Sequence, residues 1–97
     1  MVHFLWDEKK NLANLKKHGV DFNDAVRAWY DPDRLDFFDE QHSSSKETRW
    51  IFLGAVAGAV LFVVETEPGE DTVRIISARR ASRHEQEVYY GNSNKNP

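Results

Sequence analysis

Four arginines crowd the last quarter of the chain, at Arg74, Arg79, Arg80 and Arg83. They belong to the stretch R-I-I-S-A-R-R-A-S-R-H-E-Q-E-V-Y-Y, an apolar strand that turns cationic and then starts a helix. Ser82 precedes Glu85 by three residues, the spacing of a capping box. Guanidinium groups beside a helix N-terminus suit an anion such as a phosphate. Groups able to move protons lie elsewhere, at His42, Glu47 and either Lys17 or His18, and Arg49 adds another cation. These residue types fit metal-free cleavage of RNA. There the 2′-hydroxyl attacks its own adjacent phosphate, so the enzyme supplies a base, an acid and cations but no nucleophile. The catalytic candidates are therefore Lys17, His42, Glu47, Arg49, Arg74 and Arg79, with Arg80 as a further cation. Trp50 or Tyr89 could stack an exposed base. Each candidate also has a plainer role: His42 as a solvated loop residue, Glu47 with Arg49 as a cross-strand pair, Lys17 and His18 as helix-end charges. Trp50 equally fits the core, and Tyr89 the packing of the last helix.

Other chemistries find no residues. Cysteine is absent, which removes disulfides, thiolate metal sites and a cysteine nucleophile. The histidines at 3, 18, 42 and 84 lack the close spacing of a metal site, and no phosphate-binding or dinucleotide glycine motif occurs. No cofactor is expected. A net charge of −3 is unlike a nonspecific nucleic-acid coat, but the charge is uneven. Residues 21–50 hold eight acids against four bases, and residues 72–97 hold five bases against two acids. The last part could meet phosphate, and the acidic middle a basic partner. No secretory signal is visible, and the longest apolar run, 50–64, is broken by glycines and too short to span a bilayer. A cytoplasmic protein without membrane contact is expected.

The elements that must position these groups fill one domain, residues 1–90, with 91–97 expected as a disordered tail. Phe4 to Trp6 read as a short strand. Asp7 caps a helix over about 8–17 with Leu12 and Leu15 on its buried side, and Gly19 closes it. Asp21 caps a second helix on which Phe22, Ala25, Val26 and Trp29 share a face, stopped by Asp31-Pro32-Asp33. From Arg34 the period changes to two. Strands are expected from Arg34 to Phe38, Arg49 to Val56, Ala59 to Thr66 and Thr72 to Arg79, with Asp39 to Lys46 as a polar loop and Ala57-Gly58 as a hairpin turn. A helix from Arg83 to Tyr90 ends the domain. The order β-α-α-β-β-β-β-α predicts an α+β fold, an antiparallel sheet with helices mainly on one face. Strict alternation along the last strand places Arg74 and Arg79 on opposite faces, unless a bulge intervenes.

The opening W-D-E-K-K-N-L-A-N-L-K-K-H-G-V-D-F, the D-E-Q-H followed by Glu47-Thr48-Arg49, the V-V-E-T-E, and R-I-I-S-A-R-R-A with Glu85 and Tyr89 together resemble the BrnT family of bacterial toxins. The resemblance covers nearly all of residues 4–90. It implies a RelE-like ribonuclease fold and a type II toxin–antitoxin module that inhibits translation by cutting RNA. It also implies neutralisation by a BrnA-like antitoxin, whose ribbon-helix-helix-type domain carries the complex to operator DNA. Lys17, His18, Asp39, His42, Glu47, Arg49, Arg74, Ser77, Arg79, Glu85 and Tyr89 fall on family-pattern positions. Two other readings compete: a catalytically weak corepressor acting with the antitoxin, and a structural subunit that dimerises through its sheet edge.

Overall fold

Asp7 and Asp21 start the two N-terminal helices, and the computed structural model, which describes residues 1–91, shows how. Each has extended backbone and turns its carboxylate onto the free amides of the first turn, at Lys9 and Lys10 for Asp7 and at Asn23 for Asp21. The chain runs β1 (His3–Leu5), α1 (Glu8–His18), α2 (Phe22–Trp29), β2 (Leu35–Phe38), β3 (Arg49–Val56), β4 (Ala59–Gly69), β5 (Thr72–Arg80) and α3 (Arg83–Gly91). This is the expected order. The expected tail lies, from Asn92 on, outside the described residues.

The five strands form one sheet in the order β1-β5-β4-β3-β2. Neighbours among β2 to β5 pair antiparallel, but β1 pairs parallel to β5, so the sheet is mixed rather than antiparallel throughout. The two helices between β1 and β2 carry the chain away from the sheet and free β1 from hairpin geometry. Ala57 and Gly58 both take positive φ (50° and 80°), the backbone of a two-residue turn that matches strand twist, between the paired Val56 and Ala59.

α1 departs from its apolar pattern. Leu12 and Leu15 are 60% and 40% exposed, whereas Asn11 and Asn14 are buried. The asparagines finish hydrogen bonding that apolar side chains could not. Asn11 accepts from the Phe22 amide, while Asn14 accepts from the Ala78 amide and donates to the Ala78 and Val20 carbonyls. Because β1 stops at Leu5, opposite Arg74, Asn14 acts as a one-residue substitute for the missing strand on the edge of β5. α2 follows its pattern more closely. Phe22, Ala25 and Ala28 are fully buried against Phe52, Leu61, Val63, Val73, Ile75 and Ala78.

α3 lies on the other face. Its Tyr89 packs with Leu53, Val60 and Ala81 over half-buried Leu35, Ala55 and Phe62, and its hydroxyl donates to the Asp31 carboxylate. The capping box forms as the sequence predicts: the Glu85 amide donates to Ser82 Oγ and the Ser82 amide to Glu85 Oε1.

The pairing of β4 with β5 overturns the strict alternation expected for the last strand. Val64 pairs with Ser77 but Glu65 pairs with Ile75, leaving Ile76 as an extra residue in β5. This bulge flips the parity, so that Val73, Ile75 and Ala78 all reach the core. Arg74 pairs with Thr66 and Arg79 with Phe62, residues that share one side of β4. Arg74 and Arg79 therefore lie on the same face of the sheet, the one that carries α3.

Candidate active site

A row of polar side chains crosses the end of this face that α3 does not pack on. The register aligns Arg49 of β3 with Thr66 of β4, and Thr66 with Arg74 of β5. An antiparallel sheet holds such directly opposed side chains close together, so the two guanidinium groups flank a single threonine. Ser45, Lys46, Glu47, Thr48, Glu67, Pro68, Thr66 and Arg74 enclose a shallow groove of about 260 Å³ at this end of the sheet. Arg49 Nε donates to Glu47 Oε1 at 2.8 Å, a pair two residues apart at the entry to β3 rather than a cross-strand pair. Arg74 is exposed and has no ion-pair partner among the described residues. A guanidinium with its donors open to solvent can take both oxygens of a phosphate.

The loop between β2 and β3 springs from the same end. Its neck is closed by the Asp39 amide donating to the Arg49 carbonyl (2.9 Å) and by Ser43 Oγ, which accepts from the Arg49 amide and donates to the Asp39 carbonyl. Inside the loop the His42 imidazole meets the largely buried Asp39 carboxylate through Nδ1 at 2.9 Å. The His42 side chain is otherwise 65% exposed. With Nδ1–H donating to Asp39, Nε2 faces solvent as a proton acceptor or, once protonated, a donor. Asp39 orients the ring, a role its family-pattern position did not specify.

Arg79 is engaged elsewhere. Its guanidinium makes a two-pronged pair with Glu85 (2.8 and 2.9 Å) and stacks on the Phe62 ring at 3.9 Å. These hydrogen bonds raise the Arg79 pKa and, with help from the Ser82 amide, pull Glu85 down to about 2. The pair fastens α3 to the sheet. Arg80 is exposed on the opposite side of β5, paired with Leu61. Lys17 is exposed in the last turn of α1, past the Asn14 contact with Ala78 and so well along β5 from Arg74. The structure thus aligns Arg49 and Arg74 in one row with Glu47 paired to Arg49 at its end, hangs His42 from the adjoining loop, and leaves Lys17 and Arg79 apart. Trp50 is half-buried on the reverse face and meets the Phe38 ring edge-on.

Sequence reasoning missed three groups. Lys46 and Glu67 line the groove, and the only signal available was their nearness to Glu47 and Thr66. The third is Glu65, which is 2% exposed on the helix-packed face with one carboxylate oxygen lacking any hydrogen-bond partner. Burial, reinforced by Glu67 and Asp36, pushes its pKa up to about 7 against the weaker opposing pull of Arg34. Its alternation with Leu61 and Val63 was the clue that it faces inward.

A mixed sheet with two helices on one face, and a third helix beside a cationic row on the other, defines a small α+β fold. Residues 6–85 match the family described as the ribonuclease toxin BrnT of type II toxin–antitoxin systems, and the chain belongs to that family. The structure is similar to the crystal structure of the Brucella abortus ribonuclease toxin BrnT, with 26% sequence identity and a TM-score of 0.66 over 86% of this chain and 100% of that one. No curated protein matches the sequence. As a type II toxin, the chain has an antitoxin as its partner.

Proposed function

We propose that this toxin cleaves RNA by metal-independent transfer of the 2′-hydroxyl onto its own adjacent phosphodiester, and so inhibits translation in the cytoplasm. The observation that carries the reading is the Arg49–Thr66–Arg74 row beside a carboxylate and an Asp-oriented histidine. Arg74 and Arg49 bind the non-bridging oxygens and offset the charge that builds on phosphorus in the transition state. Glu47, or Glu67 beside it, takes the proton of the attacking hydroxyl. His42 delivers a proton to the departing 5′-oxygen, and the products are a cyclic phosphate and a free 5′-hydroxyl. Lys17 has no part in this scheme, and Arg79 serves it by fixing α3. A BrnA-like antitoxin neutralises the toxin and brings the complex to its operator through a ribbon-helix-helix-type domain. The acidic stretch 21–50 suits a basic antitoxin segment.

The test is cleavage of single-stranded RNA by pure protein in EDTA, together with growth on induction in cells lacking the antitoxin. Wild type should cut and arrest growth. Arg74→Ala should lower the cleavage rate roughly 100-fold or more, as loss of one transition-state donor does elsewhere, with circular dichroism unchanged. A strict requirement for an added divalent ion would end the metal-free scheme. Absence of cleavage and toxicity, with promoter output still lowered in the presence of the antitoxin, would favour a corepressor instead.

A further inference from the structure

Arg74 borders two grooves. Beyond the 260 Å³ groove of the candidate active site lies a larger one of about 440 Å³, lined by Leu5, Trp6, Asp7, Lys10, Arg74, Ile75 and Ile76, and among the described residues Arg74 alone is common to both. This second groove exists because β1 ends opposite Arg74 while β5 continues, so the edge of β5 at Ile75 and Ile76 is bordered by the start of α1 instead of a strand. We propose that it holds a second phosphate of the bound RNA, between Arg74 and Lys10, with Trp6 as the wall against which the adjoining sugar or base packs. The proposal rests on the RNA-cleaving reading of the first groove and extends it by one nucleotide across the sheet edge.

Two acids stand near this groove, but both carboxylates are turned to local hydrogen bonds. The Asp7 carboxylate is already occupied by the Lys9 and Lys10 amides (2.8 and 3.4 Å), so it completes the helix start and leaves no open N-terminus to bind an anion. Glu8 accepts from Trp6 Nε1 at 3.0 Å and from Asn11 Nδ2 at 3.2 Å. Lys10, exposed like Arg74, has no ion-pair partner among the described residues even with these acids adjacent. Two such cations lining one groove, with a half-buried indole in its wall, match the alternation of charge and ring surface in single-stranded RNA.

The experiment uses the full chain and labelled 2′-O-methyl oligoribonucleotides, which lack the attacking hydroxyl, with binding read by fluorescence anisotropy over a range of salt. A dinucleotide fills the first groove only, and a hexanucleotide reaches the second. Lys10→Ala should weaken hexanucleotide binding about 5- to 10-fold and reduce its salt slope by about 0.7, the value of one phosphate contact on a single strand. Dinucleotide binding should stay unchanged, and Lys10→Arg should restore the hexanucleotide. Unchanged hexanucleotide affinity in Lys10→Ala, or equal loss on both lengths, overturns the second subsite while leaving the first groove standing. Failure of the wild-type protein to bind either length overturns the RNA-binding reading itself.

Discussion

Glu65 is the residue whose environment most contradicts its chemistry. Burial of a core carboxyl with an orphaned oxygen favours its protonated form, and its pKa is pushed up to about 7. Below about pH 4.5 both the folded and unfolded chains carry it protonated. As pH rises from there to about 7 the unfolded chain ionises first, so stability falls across that window, by about 2–3 kcal/mol as an upper range. Glu65→Gln keeps shape and donor capacity without the titration. It should raise the urea midpoint at pH 8, flatten the pH dependence between about 5 and 8, and leave stability at pH 4 nearly unchanged. The opposite sign applies to Glu85, whose pKa is depressed to about 2 by Arg79. Its contribution is present above about pH 4.5 and fades as pH falls towards 2. Because Arg79 is partly exposed, a double-mutant cycle of Arg79→Ala with Glu85→Ala should return a coupling of only about 1 kcal/mol.

Among the elements, α2 and β3 approach so closely that Gly54 has no room for a side chain. A Cβ there would lie 2.3 Å from the Ala28 carbonyl oxygen, and a backbone atom cannot swing aside. Gly54→Ala should therefore cost roughly 2–3 kcal/mol in chemical denaturation, the scale of an overpacked core, whereas Ala55→Gly in the same strand should cost less. At the neighbouring turn, Ala57 holds a positive φ that a Cβ disfavours. Ala57→Asn should stabilise the hairpin by about 0.5–1 kcal/mol in the same assay, because asparagine tolerates the left-handed region. α3 is fastened mainly through side chains, by Arg79–Glu85 and Tyr89–Asp31. Burial and the Asp31 bond hold the Tyr89 hydroxyl protonated well beyond its ordinary range.

For the whole molecule, the sheet's two faces divide the labour. One face buries Phe52, Val63 and Ile75 against Phe22 of α2 and holds the fold together. The other is half covered by α3, and its uncovered end carries the arginine row. Amide exchange should follow this division, slowest in β3, β4 and β5 and fastest in 39–48 and α3, where fewer backbone groups are buried. Uniform protection across α3 and β4 would show that the last helix is part of the core rather than an attachment to it.

Much of this was legible in the residues themselves. Caps, hairpin turn and capping box depend on neighbours in the chain, so Asp7, Asp21, Ala57-Gly58 and Ser82 with Glu85 marked the element ends before any tertiary contact was known. The element order followed, and so did the family, whose motifs are local words in a fixed order. Other features depend on groups far apart in sequence. Period alone assigns Leu12 and Leu15 to the buried side, because it cannot tell that Asn11 and Asn14 are needed to satisfy Phe22, Val20 and Ala78. The parallel pairing of β1, the partner of Arg79 and the isolation of Glu65 likewise depend on what packs opposite. The arginines show the division most clearly. Their number and cationic character came from the sequence, but one extra residue at Ile76 moved Arg74 and Arg79 onto the same face. A bulge is a mismatch between two strands, so neither strand read alone contains it, and only the folded sheet could bring Arg74 into line with Thr66 and Arg49.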